Sequence, residues 1–309
     1  KIIMFLNFLN KKKNIETSSR YDFAANFKIF KQIRKKKKLI IGTTVGRSGM
    51  KWVLSILEAH DKIYGKGGGE RNSTCESFHR YAIHNKLNID QSALLNSIIC
   101  ETINDWKDNE TSFQLSPYFS HSIDLIDKFL KPDGYIWGVN EFSFTVQSFY
   151  NKGWYNPDYN ISNFKKTPAF ALTDALKPSH FFGRIAPVDN FAKKWLKLSR
   201  VGKISWYVNH TNKRIYNSLK KIDKRKKFLF VLKEADQNYD FYLKLAEWLN
   251  LKDKLTLKKF LNIKFENTTK YHLNENKINK LNKVELQEMK PYQKLYSKIY
   301  NKIIKSINY

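Results

Sequence analysis

The sequence predicts an α/β domain of three layers, in which a central parallel sheet is flanked by helices. A short apolar run from Leu39 to Ile41 precedes a glycine-containing turn and then apolar residues at helical spacing. This succession is typical of a buried parallel strand that leads into a helix. Further short apolar runs alternate with helical patterns along the chain, as parallel sheets require. With 309 residues, of which 42% are apolar, the chain can bury one large core.

The individual elements follow from the same periodicity. Short apolar runs predict strands near residues 38–42, 111–116, 135–139 and 227–232. Apolar residues at helical spacing predict helices after Gly49 and from Gln91 to Trp106.

Composition along the chain divides it into three parts. Residues 1–37 form a basic, helix-prone lead-in, residues 38–262 form the α/β domain, and residues 263–309 form a lysine-rich helical tail that packs on it. Residues 153–187 lack a clear period, and an irregular segment of this length is typical of a lid or a substrate wall. An inserted helical hairpin is the alternative for this segment.

The turn after the first strand has the features of a phosphate-binding loop. A strand that enters a helix through glycines brings unpaired backbone N–H groups and the positive end of the helix dipole to one point. The nucleoside-triphosphatase pattern G-x-x-x-x-G-K-[ST] fits poorly, because Gly46 comes one residue early after Gly42 and Arg47 takes the place of lysine. A turn that binds no ligand remains an alternative.

The segment GRSGMKW, from Gly46 to Trp52, resembles the 5′-phosphosulfate loop [KR]-S-G-T-[TK]-[WL] of the sulfotransferases. These enzymes have a P-loop-type α/β fold and use 3′-phosphoadenosine-5′-phosphosulfate (PAPS) as co-substrate. The resemblance implies that Arg47 and Lys51 stabilise developing charge and that Ser48 donates to a phosphate oxygen. The cofactor-binding residues implied for this loop are Gly46, Arg47, Ser48, Gly49, Met50, Lys51 and Trp52.

Two later segments continue the resemblance in the same order. Several sulfotransferases carry Gly-Glu after the first helix, and in some of them the glutamate is the catalytic base, which implies this role for Glu70. Family members also follow a strand with R-D-P-x-[DE]-x-[AV]-x-S, whose arginine and serine bind the 3′-phosphate. Ser148 matches that serine, whereas Asn140 takes the place of the arginine and Met50 takes the place of a loop threonine.

The resemblance, which spans roughly residues 38 to 251, implies transfer of a sulfuryl group from PAPS to the hydroxyl of a carbohydrate or small molecule. It requires no metal ion. One alternative is a P-loop kinase of a small molecule or nucleotide, which would depend on magnesium and ATP. The departures at Asn140 and Met50 suggest another, a divergent sulfotransferase-fold protein that binds without catalysing. The acceptor and the oligomeric state stay open.

The net charge of +28 arises from 56 lysines and arginines against 28 acidic residues. Such a field attracts polyanions, and it would also suit peripheral association with an anionic membrane. The lysines are nevertheless spread along the chain, a pattern that AT-rich coding also produces, so we do not predict a nucleic-acid partner. They can still draw in a polyanionic co-substrate.

The remaining sequence signals favour a cytoplasmic protein. Cys75 and Cys100 have no disulfide-like or zinc-like spacing, which is typical of a reducing compartment. No run of eighteen apolar residues predicts a membrane-spanning helix, and the apolar start at residues 1–9 lacks a signal-peptide cleavage site. The seven histidines show no metal-ligand spacing along the sequence, so we expect structural roles for them.

Overall fold

The computed structural model describes residues 22–67, 73–155, 182–235, 238–263 and 281–306. In this part of the chain, five parallel strands form one sheet. They are β1 (Lys38–Thr44), β2 (Ile63–Gly67), β3 (Thr111–Ser116), β4 (Gly134–Val139) and β5 (Lys227–Val231). Their order in the sheet is β2-β3-β1-β4-β5, so β1 is the central strand.

Helices connect these strands and cover both faces of the sheet. The helices before β4 are α1 (Phe23–Ile33), α2 (Met50–Glu58), α3 (Ser73–His84), α4 (Ser92–Asp105) and α5 (Ile123–Leu130). Those after β4 are α6 (Phe142–Asn151), α7 (Ala192–Leu196), α8 (Arg200–Leu219), α9 (Leu232–Ala235), α10 (Tyr239–Trp248), α11 (Leu257–Asn262) and α12 (Lys283–Ser306). Short 3₁₀ helices cover Pro117–His121 and Lys224–Lys226.

The central strand is buried from Leu39 to its end, as a parallel strand covered on both faces should be. Gly42 lies opposite Leu115 of β3 and Ile136 of β4. A Cβ atom at Gly42 would lie 2.7 Å from Cζ of Phe113, so the close packing beside β1 requires glycine here.

Alternate residues of the strands belong to two different cores, one on each face of the sheet. On the first face, Ile40 packs with the apolar residues of α2, α10 and α11. On the second face, Leu39 and Ile41 pack with those of α1, α4, α5 and α8. The sheet therefore lies between two helical layers, which confirms the predicted three-layer α/β architecture.

The predicted strands near 38–42, 111–116, 135–139 and 227–232 correspond to β1, β3, β4 and β5. The sequence did not predict β2, because Gly65 and Gly67 gave it the composition of a turn. A Cβ atom at Gly65 would lie 2.6 Å from Cδ2 of Leu54, so the glycine that hides the strand signal lets α2 pack against it.

The lead-in and the tail both pack on the domain where they are described. Phe30 of α1 is buried and stacks on Trp106 at a centroid distance of 5.3 Å. Met289 and Tyr296 of α12 are buried in a third core with residues of α6 and α8. Across the described residues, every helix is too short or too polar to cross a membrane. The exact domain limits stay a prediction.

Candidate functional site

The carboxyl ends of β1 and β4 lie side by side, because Thr44 is opposite Gly138. The chain leaves β1 for α2 on the first face of the sheet, and it leaves β4 for α6, which packs in the third core with α8. Helix α8 also contributes to the core of the second face. In open parallel sheets, ligands bind in the crevice where neighbouring connections depart to opposite faces.

The loop between β1 and α2 has a backbone that only glycine adopts without strain at two positions. Gly46 has φ +100° and Gly49 has φ +73°. A Cβ atom at Gly49 would also lie 2.4 Å from Cδ1 of Leu232. Arg47 has φ +61° as well, and this left-handed conformation costs a non-glycine residue about 1–2 kcal/mol. Such strain is typical of functional sites.

The amino terminus of α2 begins in this loop without a side-chain cap. Gly49 is the N-cap residue and has no side chain with which to cap the first turn. The N–H group of Trp52 donates to the carbonyl of Gly49 over 2.9 Å, which leaves the amides before it for other acceptors. An uncapped helix start of this kind suits an anion.

Arg47 and Ser148 meet across the crevice. Nε of Arg47 donates to Oγ of Ser148 over 2.6 Å, and Ser148 lies on α6. Burial lowers the pKa of the Arg47 guanidinium below its ordinary value. Among the described residues, no carboxylate pairs with Arg47. A desolvated cation without a counter-charge is costly, so an anion in the crevice would be stabilising.

Asn140, which directly follows β4, supports the loop through a hydrogen bond to Arg47. Its Nδ2 donates to the carbonyl of Arg47 over 3.3 Å, and its Oδ1 accepts from the N–H of Glu141 over 2.8 Å. Its own carbonyl accepts from the hydroxyl of Tyr296 in α12 over 2.6 Å. The amide thus makes contacts within the protein at the position where the resembling family has a phosphate-binding arginine.

Ser48 lies beneath the loop, with 2% of its surface exposed. Its hydroxyl shares a hydrogen bond with the hydroxyl of Thr44, which also accepts from the N–H of Gly46 over 3.0 Å. A Cβ atom at Gly138 would lie 2.7 Å from Oγ of Ser48 and 2.4 Å from Cγ of Met50. Because Gly138 of β4 has no side chain, the loop can pack directly against the sheet.

The last residues of the predicted motif differ in exposure. Met50 and Trp52 are buried in the first core, and the indole of Trp52 packs against the rings of Phe230 and Phe260. Lys51 is exposed in the first turn of α2. Arg47 and Lys51 are the two cations of the motif, and neither is part of the buried core.

Two predicted features lie outside the described residues. Glu70, the expected base, belongs to the gap between β2 and α3. The larger part of the segment at 153–187, which we expected to form an acceptor wall, also lies in a gap. Both stay predictions.

A surface pocket of about 470 Å³ opens beside Asn140. Its wall comes from the ends of β4 and β5, the start of α6 and one side of α12. Lys233 lies at this wall and its Nζ is 2.7 Å from Oε1 of Glu141. Tyr296 and Tyr300 supply aromatic surface. The pocket is large enough for part of a nucleotide and adjoins the residue that braces the loop.

Arg80, a buried arginine that the sequence did not indicate, supports the loop through Tyr207. Arg80 of α3 is fully buried; its Nη1 donates to the hydroxyl of Tyr207 over 3.0 Å, and its Nη2 donates to Oγ1 of Thr211 over 3.2 Å. The hydroxyl of Tyr207 donates to the carbonyl of Val45 over 3.3 Å. No local motif marks these residues, because they come from separate elements.

No family model matches the chain. No curated protein matches it either. Among solved structures, the chain is similar to the sulfotransferase domain from the curacin biosynthetic pathway, with a TM-score of 0.39, 12% identity, and coverage of 72% of this chain and 76% of that one. It is also similar to a sulfotransferase from Alicyclobacillus acidocaldarius, with a TM-score of 0.38, 10% identity, and coverage of 73% and 89%.

Proposed function

We propose that the protein transfers a sulfuryl group from PAPS to an acceptor hydroxyl of a carbohydrate or another small molecule. The observation that carries the proposal is the environment of Arg47. This guanidinium is partly buried, lacks a carboxylate partner among the described residues, and lies beside the uncapped start of α2. It therefore suits an anion such as a phosphosulfate. The sequence resemblance from Gly46 to Trp52 supplies the identity of that anion.

The chemistry requires positioning and charge stabilisation more than covalent catalysis. The acceptor oxygen attacks sulfur while the bond from sulfur to the 5′-phosphate oxygen breaks. The amides at the start of α2, with Arg47 and Lys51, would stabilise charge on that leaving oxygen. Glu70 would take the proton of the acceptor hydroxyl.

The nucleotide end of the co-substrate would lie toward β4 and β5. Ser148 would bind the 3′-phosphate, with its hydroxyl oriented by Nε of Arg47. The pocket beside Asn140 would receive part of the adenosine. Because the Asn140 amide already bonds to Arg47 and Glu141, we expect fewer contacts to the 3′-phosphate than the family motif implies.

Calorimetric titration with 3′-phosphoadenosine-5′-phosphate, compared with ATP plus magnesium, tests the proposal. We expect micromolar binding of the bisphosphate, weakened at least about 100-fold in Arg47→Ala, since a charge-assisted contact to phosphate is lost. Arg225→Ala is the matched control, because it removes an exposed arginine far from the crevice and lowers the net charge equally.

Binding of ATP alone would favour the P-loop kinase. Binding of the bisphosphate without transfer to any acceptor in a broad panel would favour the divergent, non-catalytic protein. If Arg47→Ala and Arg225→Ala bind the bisphosphate equally well, the crevice is not the site and the proposal fails.

A further inference from the structure

Three histidines from distant parts of the chain lie close together in the fold. His84 ends α3, His121 ends the 3₁₀ helix after β3, and His210 lies in α8. One ring nitrogen from each lies within 4.8 Å of the corresponding nitrogens of the other two. We propose that these three imidazoles bind one divalent cation of the zinc class.

The orientation of the His84 ring is fixed in the way that metal ligands require. Nε2 of His84 lies 2.7 Å from the carbonyl of Ala186, and because a carbonyl only accepts, this nitrogen carries the proton. The Nδ1 lone pair of His84 is then available as a ligand. Hydrogen bonds from the second ring nitrogen to a backbone carbonyl orient metal-bound histidines in general.

His121 provides the independent indication of a ligand. Only 5% of its surface is exposed, and its Nε2 is buried without a hydrogen-bond partner. Its Nδ1 lies 3.1 Å from Oγ of Ser120. If Nδ1–H donates to Ser120, Nε2 carries a lone pair that nothing satisfies, which is costly inside a protein. A metal ion bound by Nε2 would remove that cost.

The third ring is held by stacking. The indole of Trp206 is stacked on His210, with ring centroids 4.7 Å apart and an interplanar angle of 21°. Tetrahedral zinc with Zn–N bonds of about 2.05 Å needs ligand nitrogens about 3.4 Å apart. The nitrogens, which lie within 4.8 Å, therefore need to close by about 1.4 Å at most.

The surrounding charge distinguishes this site from an acidic metal site. Burial lowers the pKa values of the three histidines, and the positive charges of Arg80 and Arg214 lower them further. Imidazole ligands suit zinc among the common divalent cations. Since three histidines leave one position of a tetrahedral ion open, the positive surroundings favour an anionic fourth ligand.

The test uses the untagged full chain, stripped with a chelator and titrated separately with zinc chloride and cobalt chloride. We expect one equivalent of zinc to bind with a dissociation constant below about 10 μM. Cobalt should give the visible absorption of a four-coordinate ion. The double variant His84→Gln/His210→Gln should bind zinc at least about 100-fold more weakly, because even changes outside the ligands cost 10–100-fold.

Two single variants sharpen the result. His60→Gln removes a buried histidine outside the cluster and should leave zinc affinity unchanged. Arg214→Gln removes a nearby positive charge and should raise zinc affinity several-fold, a gain that a purely structural cluster would not produce.

The proposal fails if zinc binds more weakly than the stated limit, if the double variant binds as well as the parent, or if Arg214→Gln lowers the affinity. A buried water in place of the metal would give the first of these results. Circular dichroism of each variant checks that the fold is retained. None of these readouts depends on sulfuryl transfer.

Discussion

The loop after β1 and the three-histidine cluster lie near the carboxyl edge of the same sheet, but they are built in different ways. The loop is made by neighbours in sequence and depends on the backbone, through Gly46 and Gly49 with positive φ and through free amides. The cluster is made by side chains from three separate elements, His84, His121 and His210. One region is therefore visible in a short motif, and the other only in the fold.

The two regions also place opposite demands on a ligand. In the loop, a partly buried arginine and a helix start favour an anion. In the cluster, three imidazoles close together favour a metal cation, although Arg80 and Arg214 make the surroundings positive. If both proposals hold, each ligand binds its own region, and variants should separate the two.

We expect the largest separation from Gly49→Ala. The new methyl group would meet Leu232 at 2.4 Å while the backbone stays at positive φ, which together cost about 1–3 kcal/mol of stability. Bisphosphate affinity should fall at least about 100-fold, because the loop must change its conformation. Zinc affinity should stay within about twofold of the parent. Calorimetric titrations with each ligand measure both.

The control for this variant is Gly49→Ala/Leu232→Val, which shortens the clashing side chain with a small loss of core packing and keeps the positive φ. Recovery of stability without recovery of bisphosphate affinity would assign the loss to the backbone conformation. Bisphosphate affinity that is unchanged in Gly49→Ala would contradict the role of the loop.

A smaller effect is expected from Ser148→Ala. The substitution removes the acceptor for Nε of Arg47 and one hydroxyl from the crevice. Bisphosphate affinity should fall about 10-fold, equivalent to about 1.4 kcal/mol. Ser55→Ala, which removes a hydroxyl from α2 that bonds to the carbonyl of Lys51 in its own helix, is the control. Equal affinities of the two variants would exclude Ser148 from the site.

The difference between the regions explains what the sequence could predict. Strands β1, β3, β4 and β5 are continuous apolar runs, and the motif residues around Arg47 are contiguous, so period and spacing were sufficient. Arg47 and Ser148 come together because β1 and β4 are parallel neighbours whose carboxyl ends lie side by side, an arrangement that only the fold shows.

What the sequence missed depends on tertiary packing. β2 carries glycines where Leu54 packs closely, so its strand pattern is weak. The sequence predicts Asn140 as a cofactor-binding residue in the place of the family's arginine, whereas its hydrogen bond to the Arg47 carbonyl depends on the register of β4 with β1. The histidines of the cluster have no common spacing in sequence, since three independent elements bring them together.

The smallest predicted change in bisphosphate affinity concerns Tyr207, whose hydrogen bonds connect the two regions. The hydroxyl of Tyr207 accepts from Arg80, which lies near the histidines, and donates to Val45 at the start of the loop. Tyr207→Phe removes this hydroxyl, so that Nη1 of Arg80 and the carbonyl of Val45 both lose a hydrogen bond. The free energy of unfolding should therefore fall by about 1–3 kcal/mol. Because the loop keeps its glycines and Arg47, bisphosphate affinity should fall only about threefold.

The control is Tyr216→Phe, a half-buried tyrosine on the same helix α8, whose hydroxyl does not contact the loop among the described residues. Measuring bisphosphate affinity with and without saturating zinc in both variants tests this connection directly. If zinc changes bisphosphate affinity in the parent and in Tyr216→Phe but not in Tyr207→Phe, the hydrogen bonds of Tyr207 couple the regions. If zinc has no effect in any of the three proteins, the loop and the cluster are neighbours that act separately, and their difference in construction reflects two independent sites.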